Sequence, residues 1–330
     1  MIILNNDIAL EVKNLKMYYK TENGDVKAVD DISFKLKKGE TLGLVGESGC
    51  GKTTTGFSIL KMPSPPGEIV GGQILIDGKD IVPLTERELR KNIRWEKVSM
   101  VFQGAMNSLT PVFTIEKQLM ETLQLHKPMS KSEAKKTMIK YLNYVGLSED
   151  ILKRYPHELS GGMKQRIAIA SALFLEPSLV ICDEPTTALD VVVQAQIINL
   201  LKDLKEKLNL SFIFITHDLA TEAEVSDRIA VMYAGKIVEI GTNQQIYGEQ
   251  GPAHPYTERL LAATPKLHEN VKELAFIKGT PPNLLNPPKG CRFHPRCPYA
   301  FEKCKTEEPI LKEIEAEHKV ACWRCDADEN

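Results

Sequence analysis

Residues Gly46-Glu47-Ser48-Gly49-Cys50-Gly51-Lys52-Thr53 fit the pattern G-x4-G-K-[ST], whose chemistry is the cradling of phosphate. The glycines let the backbone wrap so that its N–H groups point inward at phosphate oxygens, and a helix starting there adds positive potential. Lys52 brings a point charge to the β- and γ-phosphates, the Thr53 hydroxyl is a Mg2+ ligand, and Thr54 extends the set into the helix. A chance match in a glycine-rich turn is the bland alternative, and the strand before and helix after the loop argue against it. A second constellation is Leu179-Val180-Ile181-Cys182-Asp183-Glu184, four apolar residues ending in two acids. It reads as a buried strand whose carboxyl end presents Asp183, to hold Mg2+ through water, and Glu184, to orient or deprotonate an attacking water. A solvated acidic turn would explain an Asp-Glu pair alone, but not the apolar strand that precedes it.

Elements able to position these residues are visible around them. Thr41–Val45 is short and nearly all apolar, as a strand buried on both faces should be. A helix over Lys52–Met62 follows, closed by Pro63, Pro65 and Pro66. Further strands are predicted at Ile8–Tyr19, Ile32–Leu36, Gly71–Ile76 and Val98–Phe102. Thr114–Leu159 is helical, with apolar residues recurring every three or four positions among Lys and Glu. Helices Gly162–Leu175 and Val191–Leu208 then alternate with strands Leu179–Cys182, Ser211–Ile215, Ile229–Tyr233 and Lys236–Ile240, the pattern of an α/β fold with a largely parallel sheet. From Thr264 onward prolines are dense, which reads as a small appended module with little regular structure.

Composition bounds the rest. A chain of 330 residues predicts about two domains. The 42 Lys+Arg against 44 Asp+Glu leave −2, without the basic domain that a nucleic-acid partner would require. No apolar run reaches the ~18 residues of a membrane span, and Met1–Leu10, with Asn5, Asn6 and Asp7, lacks the basic start of a leader. The expectation is a cytosolic chain, with docking on a membrane protein left open by the composition.

Leu159-Ser160-Gly161-Gly162-Met163-Lys164-Gln165-Arg166, beginning twenty-four residues before Asp183, carries a resemblance over residues 8–250 to the ATP-binding subunits of ABC transporters. It is similar to that family's signature motif, with Met163 where Gln is usual. The resemblance implies a P-loop NTPase cassette: a RecA-like core with an antiparallel β subdomain and an inserted helical subdomain over 104–158, together a nucleotide-binding domain at 1–265. It also implies roles for single residues. Tyr19 resembles the aromatic that stacks on adenine, Gln103 the glutamine that contacts Mg2+ or water, Ala188-Leu189-Asp190 the D-loop, and His217 the switch histidine at the γ-phosphate. Thr187 stands where Ser is commoner. Ser160, Gly161 and Gly162 open a helix whose N-terminus is a second anion site. In the family this site caps the ATP held by a partner's loop, so ATP joins a second ATPase subunit, identical or related, head to tail. Hydrolysis then shifts the favoured dimer state.

Five cysteines follow at Cys291, Cys297, Cys304, Cys322 and Cys325. A cytosolic setting disfavours disulfides. Zinc takes four thiolates but prefers short C-x2–4-C knuckles, present only at Cys322/Cys325, while a [4Fe–4S] cluster accepts wider spacing. Spacing alone leaves the two open. The run Gly290–Ala300 (GCRFHPRCPYA), with Gly279-Thr280-Pro281-Pro282 and His254-Pro255-Tyr256-Thr257, resembles the C-terminal extension of oligopeptide/dipeptide importer ATPases. That resemblance implies a [4Fe–4S] cluster on Cys291, Cys297, Cys304 and Cys322 within an extension at 266–330, with Cys325 spare. His294 and His318 read as structural, and Cys50 and Cys182 as small space-filling residues.

The function so implied is that of an ATPase powering uptake of dipeptides or oligopeptides. Its cofactors are Mg2+ and the cluster, and its place is the cytoplasmic face of the membrane, peripherally bound to two permease subunits fed by an extracellular solute-binding protein. Two alternatives stand beside it: import of a nickel chelate or oligosaccharide, and a soluble iron–sulfur ATPase acting on ribosomes or nucleic acid. The latter usually carries two cassettes or a long coiled-coil insertion, and this chain has one cassette.

Overall fold

Short apolar strands separated by amphipathic helices build two units, the first of Met1–Leu10, Leu36–Glu40 and Leu75–Phe214, the second of Glu11–Lys35, Thr41–Ile74 and Ile215–Asn330. The computed structural model describes residues 7–263 and 277–325. The domain boundary expected at 265/266, and most of the N-terminal stretch Met1–Leu10 read as lacking a leader, lie outside the described residues.

In chain order the elements begin β1 (Ile8–Thr21), β2 (Gly24–Lys37), β3 (Thr41–Val45), α1 (Lys52–Ile59), β4 (Gly67–Ile76), β5 (Lys79–Asp80), α2 (Glu86–Asn92), β6 (Val98–Val101), α3 (Ile115–His126), α4 (Lys131–Tyr144) and α5 (Gly161–Ala172). They continue β7 (Leu179–Asp183), α6 (Val191–Leu208), β8 (Ser211–Ile215), α7 (Leu219–Val225), β9 (Arg228–Tyr233), β10 (Lys236–Thr242), α8 (Asn243–Tyr247), α9 (Pro255–Ala262), α10 (Glu302–Thr306), β11 (Lys312–Glu315) and β12 (His318–Val320).

In the first unit β6 and β7 pair in parallel from Val98↔Leu179 to Val101↔Cys182. Every residue of both strands is buried, which is why they are mostly apolar and lack the alternation of a strand with one face in solvent. Helices α3 and α4 lie in the segment between them. Ile115, Leu119 and Leu123 of α3 recur at helical spacing on its buried face, as do Ala134, Met138, Tyr141 and Leu142 on α4. A reciprocal cap of Ser130 and Glu133 starts α4, and Thr85 with Glu88 starts the unexpected short helix α2 in the same way. Helix α6 ends where Asn209 turns left-handed at φ 50°.

In the second unit β3 pairs in parallel with β9, and β10 returns antiparallel to β9. The segment after residue 277 departs from the irregular module expected of it. Strand β12 extends this sheet, with Glu239↔Val320 and Ile240↔Lys319, and β11 pairs with β12. Buried His318 and Val320 flank exposed Lys319, a period of two too short to register in the sequence. Phe293, among the cysteines, packs its ring 5.2 Å from Tyr233 and 5.4 Å from Tyr256. The cysteine segment therefore shares a core with β9 and α9.

Candidate functional site

The phosphate loop lies in the second unit, between the end of β3 and the start of α1. Two of its glycines are sterically required. Gly46 has φ 145°, and a Cβ there would sit 2.1 Å from the Met232 carbonyl oxygen. Gly51, at φ 109°, would place one 2.3 Å from the Ala28 carbonyl oxygen. Gly51 also caps α1, so the helix dipole points into the loop. Lys52 is buried, and its Nζ donates to the carbonyl oxygens of Gly46 at 2.7 Å and Glu47 at 3.1 Å. The ammonium is thus held within the loop. Ser48 and Gly49 are among the loop residues, and buried Cys50 fills space beside Lys52 with its Sγ 3.7 Å from Nζ. Burial pushes the Cys50 thiol up, so it is neutral.

Tyr19, on β1 of the same unit, reaches Thr54 Oγ1 with its hydroxyl at 3.4 Å. Its ring is therefore beside the first turn of α1, where Thr53 also lies. His217, in the second unit, is exposed after β8 and precedes Asp218, the cap of α7.

The acidic constellation lies in the first unit. Asp183 ends β7 and is buried. Glu184 follows with φ 47°, a left-handed conformation that costs a non-glycine residue about 1 kcal/mol or more. Its Oε2 accepts from Gln103 Nε2 at 2.8 Å and from Thr187 Oγ1 at 2.9 Å. The structure thereby brings Gln103, Glu184 and Thr187 together.

Ser160 caps α5, its Oγ accepting from the Met163 N–H at 3.3 Å, and Gly161 and Gly162 form the first turn. Asp190 caps α6 in the same manner through the Val193 N–H at 3.0 Å. Both side chains therefore hold helix starts by themselves, a role the sequence reading did not assign them. The two starts are neighbours: a Cβ on Gly162 would approach Val193 to 2.8 Å and one on Gly161 would approach Leu189 to 3.4 Å.

Cys291, Cys297, Cys304 and Cys322 line one small cavity with His254, Phe293 and Trp323. Cys325 is not in that lining. Burial pushes the Cys291 thiol up to about 12, and Cys322, Cys304 and Cys297 push it the same way. The Cys322 thiol is raised as well, first by its hydrogen bond with Cys325. His254 is buried neutral, its pKa lowered by burial to about 4. Its Nδ1 accepts from the Tyr256 N–H, and His318 Nε2 meets Glu239 Oε1 at 2.8 Å. These histidines serve the packing, as expected of His318. Among the described residues no three His, Cys, Asp or Glu side chains form a single-ion site.

Sequence reasoning missed Glu47 and the arginines beside the cysteines. Arg296 forms a two-pronged ion pair with Glu47, inside the phosphate loop, at 2.7 and 2.9 Å. An arginine adjoining a cysteine was the only signal, and it named no partner.

Comparisons with known proteins agree with this geometry. The family profile described as ABC transporter matches residues 29–187, and that of the oligopeptide/dipeptide transporter C-terminal region matches 238–304. The chain is 49% identical to the oligopeptide transport ATP-binding protein OppD of Bacillus subtilis (strain 168), over 95% of this chain and 88% of that protein. It is 47% identical to the dipeptide transport ATP-binding protein DppD of the same organism, over 95% and 94%. Identity is also 47% to OppD of Escherichia coli (strain K12), over 96% and 94%. Among solved structures it resembles the dimeric post-hydrolysis ATP-binding cassette MJ0796 bound to ADP and Pi, with TM-score 0.63 and 29% identity over 71% of this chain and 98% of that one. It also resembles cbiO1 of Clostridium perfringens, with TM-score 0.64 and 27% identity over 74% and 92%.

Proposed function

Because the chain belongs to the ATP-binding subunits of the oligopeptide/dipeptide class of ABC transporters, we propose that it hydrolyses ATP to drive uptake of peptides. The observation that carries this reading is the loop Gly46–Thr53, whose required glycines and buried Lys52 form a cradle for the phosphates of ATP. Lys52 takes up the charge of the β- and γ-phosphates. Thr53, Gln103 and Asp183 hold Mg2+, Tyr19 stacks on adenine, and His217 contacts the γ-phosphate. Glu184, already aimed by Gln103 and Thr187, accepts the proton of the attacking water. Ser160, Gly161, Gly162 and Asp190 face the nucleotide held by a second ATPase subunit, in line with the dimeric cassette that the chain resembles.

Among the described residues no helix is long and apolar enough to cross a membrane. Membership of the peptide-transporter family supports action at the cytoplasmic face through two permease subunits, docked on the helical segment 104–158, with an extracellular solute-binding protein supplying the peptide. The names of the relatives at 47–49% identity support peptides as the cargo.

The donor set of the cysteine cavity fits a [4Fe–4S] cluster on Cys291, Cys297, Cys304 and Cys322. Four thiols line one cavity, and burial with the neighbouring thiols raises those of Cys291 and Cys297, so a cationic guest would favour the thiolates together. Such a group would crosslink four points of a segment with little apolar content.

Two measurements test the proposal. Cells lacking this chain should fail to take up radiolabelled di- and oligopeptides and recover on complementation; normal uptake would refute the peptide assignment. Anaerobically purified protein should be brown, with about four iron and four sulfide per chain. Zinc without iron would replace the cluster by a zinc site.

A further inference from the structure

Two arginines adjoin the cysteines on the inner side of the segment, Arg292 after Cys291 and Arg296 before Cys297, and both are almost wholly buried. All five N–H donors of Arg296 are used. Its Nη1 donates to Glu47 Oε2 at 2.7 Å and to the Tyr233 hydroxyl at 3.2 Å. Its Nη2 donates to Glu47 Oε1 at 2.9 Å and to the Ile277 carbonyl at 3.3 Å, and its Nε to the Lys278 carbonyl at 3.0 Å. Glu47 is the second residue of the phosphate loop, and its other polar groups are also committed. Its N–H donates to the Tyr256 hydroxyl at 2.8 Å and its carbonyl accepts from Lys52 Nζ at 3.1 Å.

Arg292 reaches the other half of the loop through one turn. Its guanidinium donates to the Ala234 carbonyl and to Asp30. The next residue, Gly235, donates its N–H to the Cys50 carbonyl at 2.9 Å and accepts from the Asp30 N–H at 2.9 Å. Each half of the loop, Glu47 before its centre and Cys50 after it, is thus tied to a residue one peptide from a cysteine of the cavity. A buried guanidinium that loses its carboxylate leaves a buried charge unpaired, so these ties resist separation. Nothing in the chemistry of phosphate binding requires them.

We propose that Arg296, with Arg292 behind it, is a positioning residue for the phosphate loop, so that ligation of the cysteines and binding of nucleotide are thermodynamically linked. The inference rests on the reading of the loop as an ATP site and of the cavity as a ligation site. Consecutive Cα atoms lie 3.8 Å apart, so drawing Cys291 and Cys297 onto a common ligand fixes where both arginines begin. Loss of that ligand loosens the segment and with it the Glu47 backbone, which holds Lys52. Linkage is reciprocal: nucleotide must protect the cysteines by the factor with which the ordered cysteine segment tightens nucleotide.

The test uses the full chain stripped of metal and a non-hydrolysable ATP analogue with Mg2+, measured by calorimetry and by peptide-resolved maleimide labelling of Cys291, Cys297, Cys304 and Cys322. The analogue should slow labelling of these cysteines at least about fivefold, the lower end of ordinary coupling between sites. Arg296→Ala should abolish that protection and weaken the analogue by a similar factor. Arg296→Lys, which keeps the charge but not the fork, should restore only part. If Arg296→Ala fails to fold, Glu47→Gln cuts the same pair from the loop side without touching the cysteine segment, and its affinity and labelling must show the same losses. A bland packing role predicts a lower melting temperature with affinity and protection intact, and that result overturns the coupling. Failure of the wild-type chain to bind the analogue overturns instead the nucleotide reading beneath it. Nucleotide-protected cysteines in a chain that takes up no iron remove the cluster and sustain the coupling.

Discussion

Glu184 is held in a left-handed conformation with two donors, Gln103 Nε2 and Thr187 Oγ1, on a single carboxylate oxygen, which fixes the orientation of the carboxylate proposed to accept a proton from water. Glu184→Gln keeps the shape and removes the proton acceptor. ATP binding should persist while turnover falls by about 10^2- to 10^4-fold, the usual worth of a positioned general base. Hydrolysis at the wild-type rate would take Glu184 out of that role. Lys52 has the complementary part. Lys52→Ala should weaken ATP about 10- to 100-fold, the equivalent of one hydrogen bond to a charged group, and calorimetry decides it. Unchanged affinity would refute the cradle. Both residues were legible in the sequence because their chemistry is local: eight consecutive residues define the loop, and six define the acidic strand. Glu47 and Arg296 were not, because 249 positions separate them and only the fold makes them partners.

Helix α7 and strand β3 meet in a contact with its own chemistry. Glu222 of α7 is fully buried, and burial pushes its carboxyl up to about 8. The Ser226 hydroxyl donates to its Oε1, whereas Oε2 has no partner among the described residues. A Cβ on Gly43 of β3 would fall 1.6 Å from Oε1, so the glycine is what admits the acid. Since the folded-state pKa of about 8 lies above the ordinary 4.5, the folded chain keeps a proton that the unfolded chain releases between those values. Stability from this group is therefore full below pH 4.5, falls through the interval and is gone above about pH 8. Glu222→Gln is neutral at every pH. It should be more stable than wild type by on the order of a few kcal/mol at pH 8, and no more stable at pH 4.5. Melting curves at the two pH values check this, and parallel pH slopes would count against a buried proton. At this scale β3, β8 and α6 fall on the residues expected from apolar runs and helical spacing. By contrast β11 and β12 escaped notice, because three or four residues with charged neighbours are too short to register a periodicity and are ordered by pairing, β12 to β10 and β11 to β12.

The chain as a whole leaves one surface of the first unit apolar and exposed where a nucleotide-dependent partner would sit. Val191 and Val192, directly after Asp190, are 80% and 67% exposed. The start of α5 adjoins them through the approach of Gly162 to Val193, and Ser160 and Gly161 are exposed there too. A helix N-terminus offers attraction for phosphate and two bare valines offer apolar area. Both are open to solvent, and the pair suits a partner that arrives bearing ATP. The Glu184→Gln chain, which binds ATP without consuming it, should therefore double its mass in sedimentation with Mg2+ and ATP, and remain single with ADP. Val191→Glu in that background puts a carboxylate into the contact. It should abolish the doubling while leaving ATP affinity measured on the single chain unchanged, since Val191 follows the cap residue and contributes no polar side-chain group. Doubling that survives Val191→Glu would place the interface on another surface, and a Glu184→Gln chain that stays single with ATP would remove nucleotide as the agent that joins two copies.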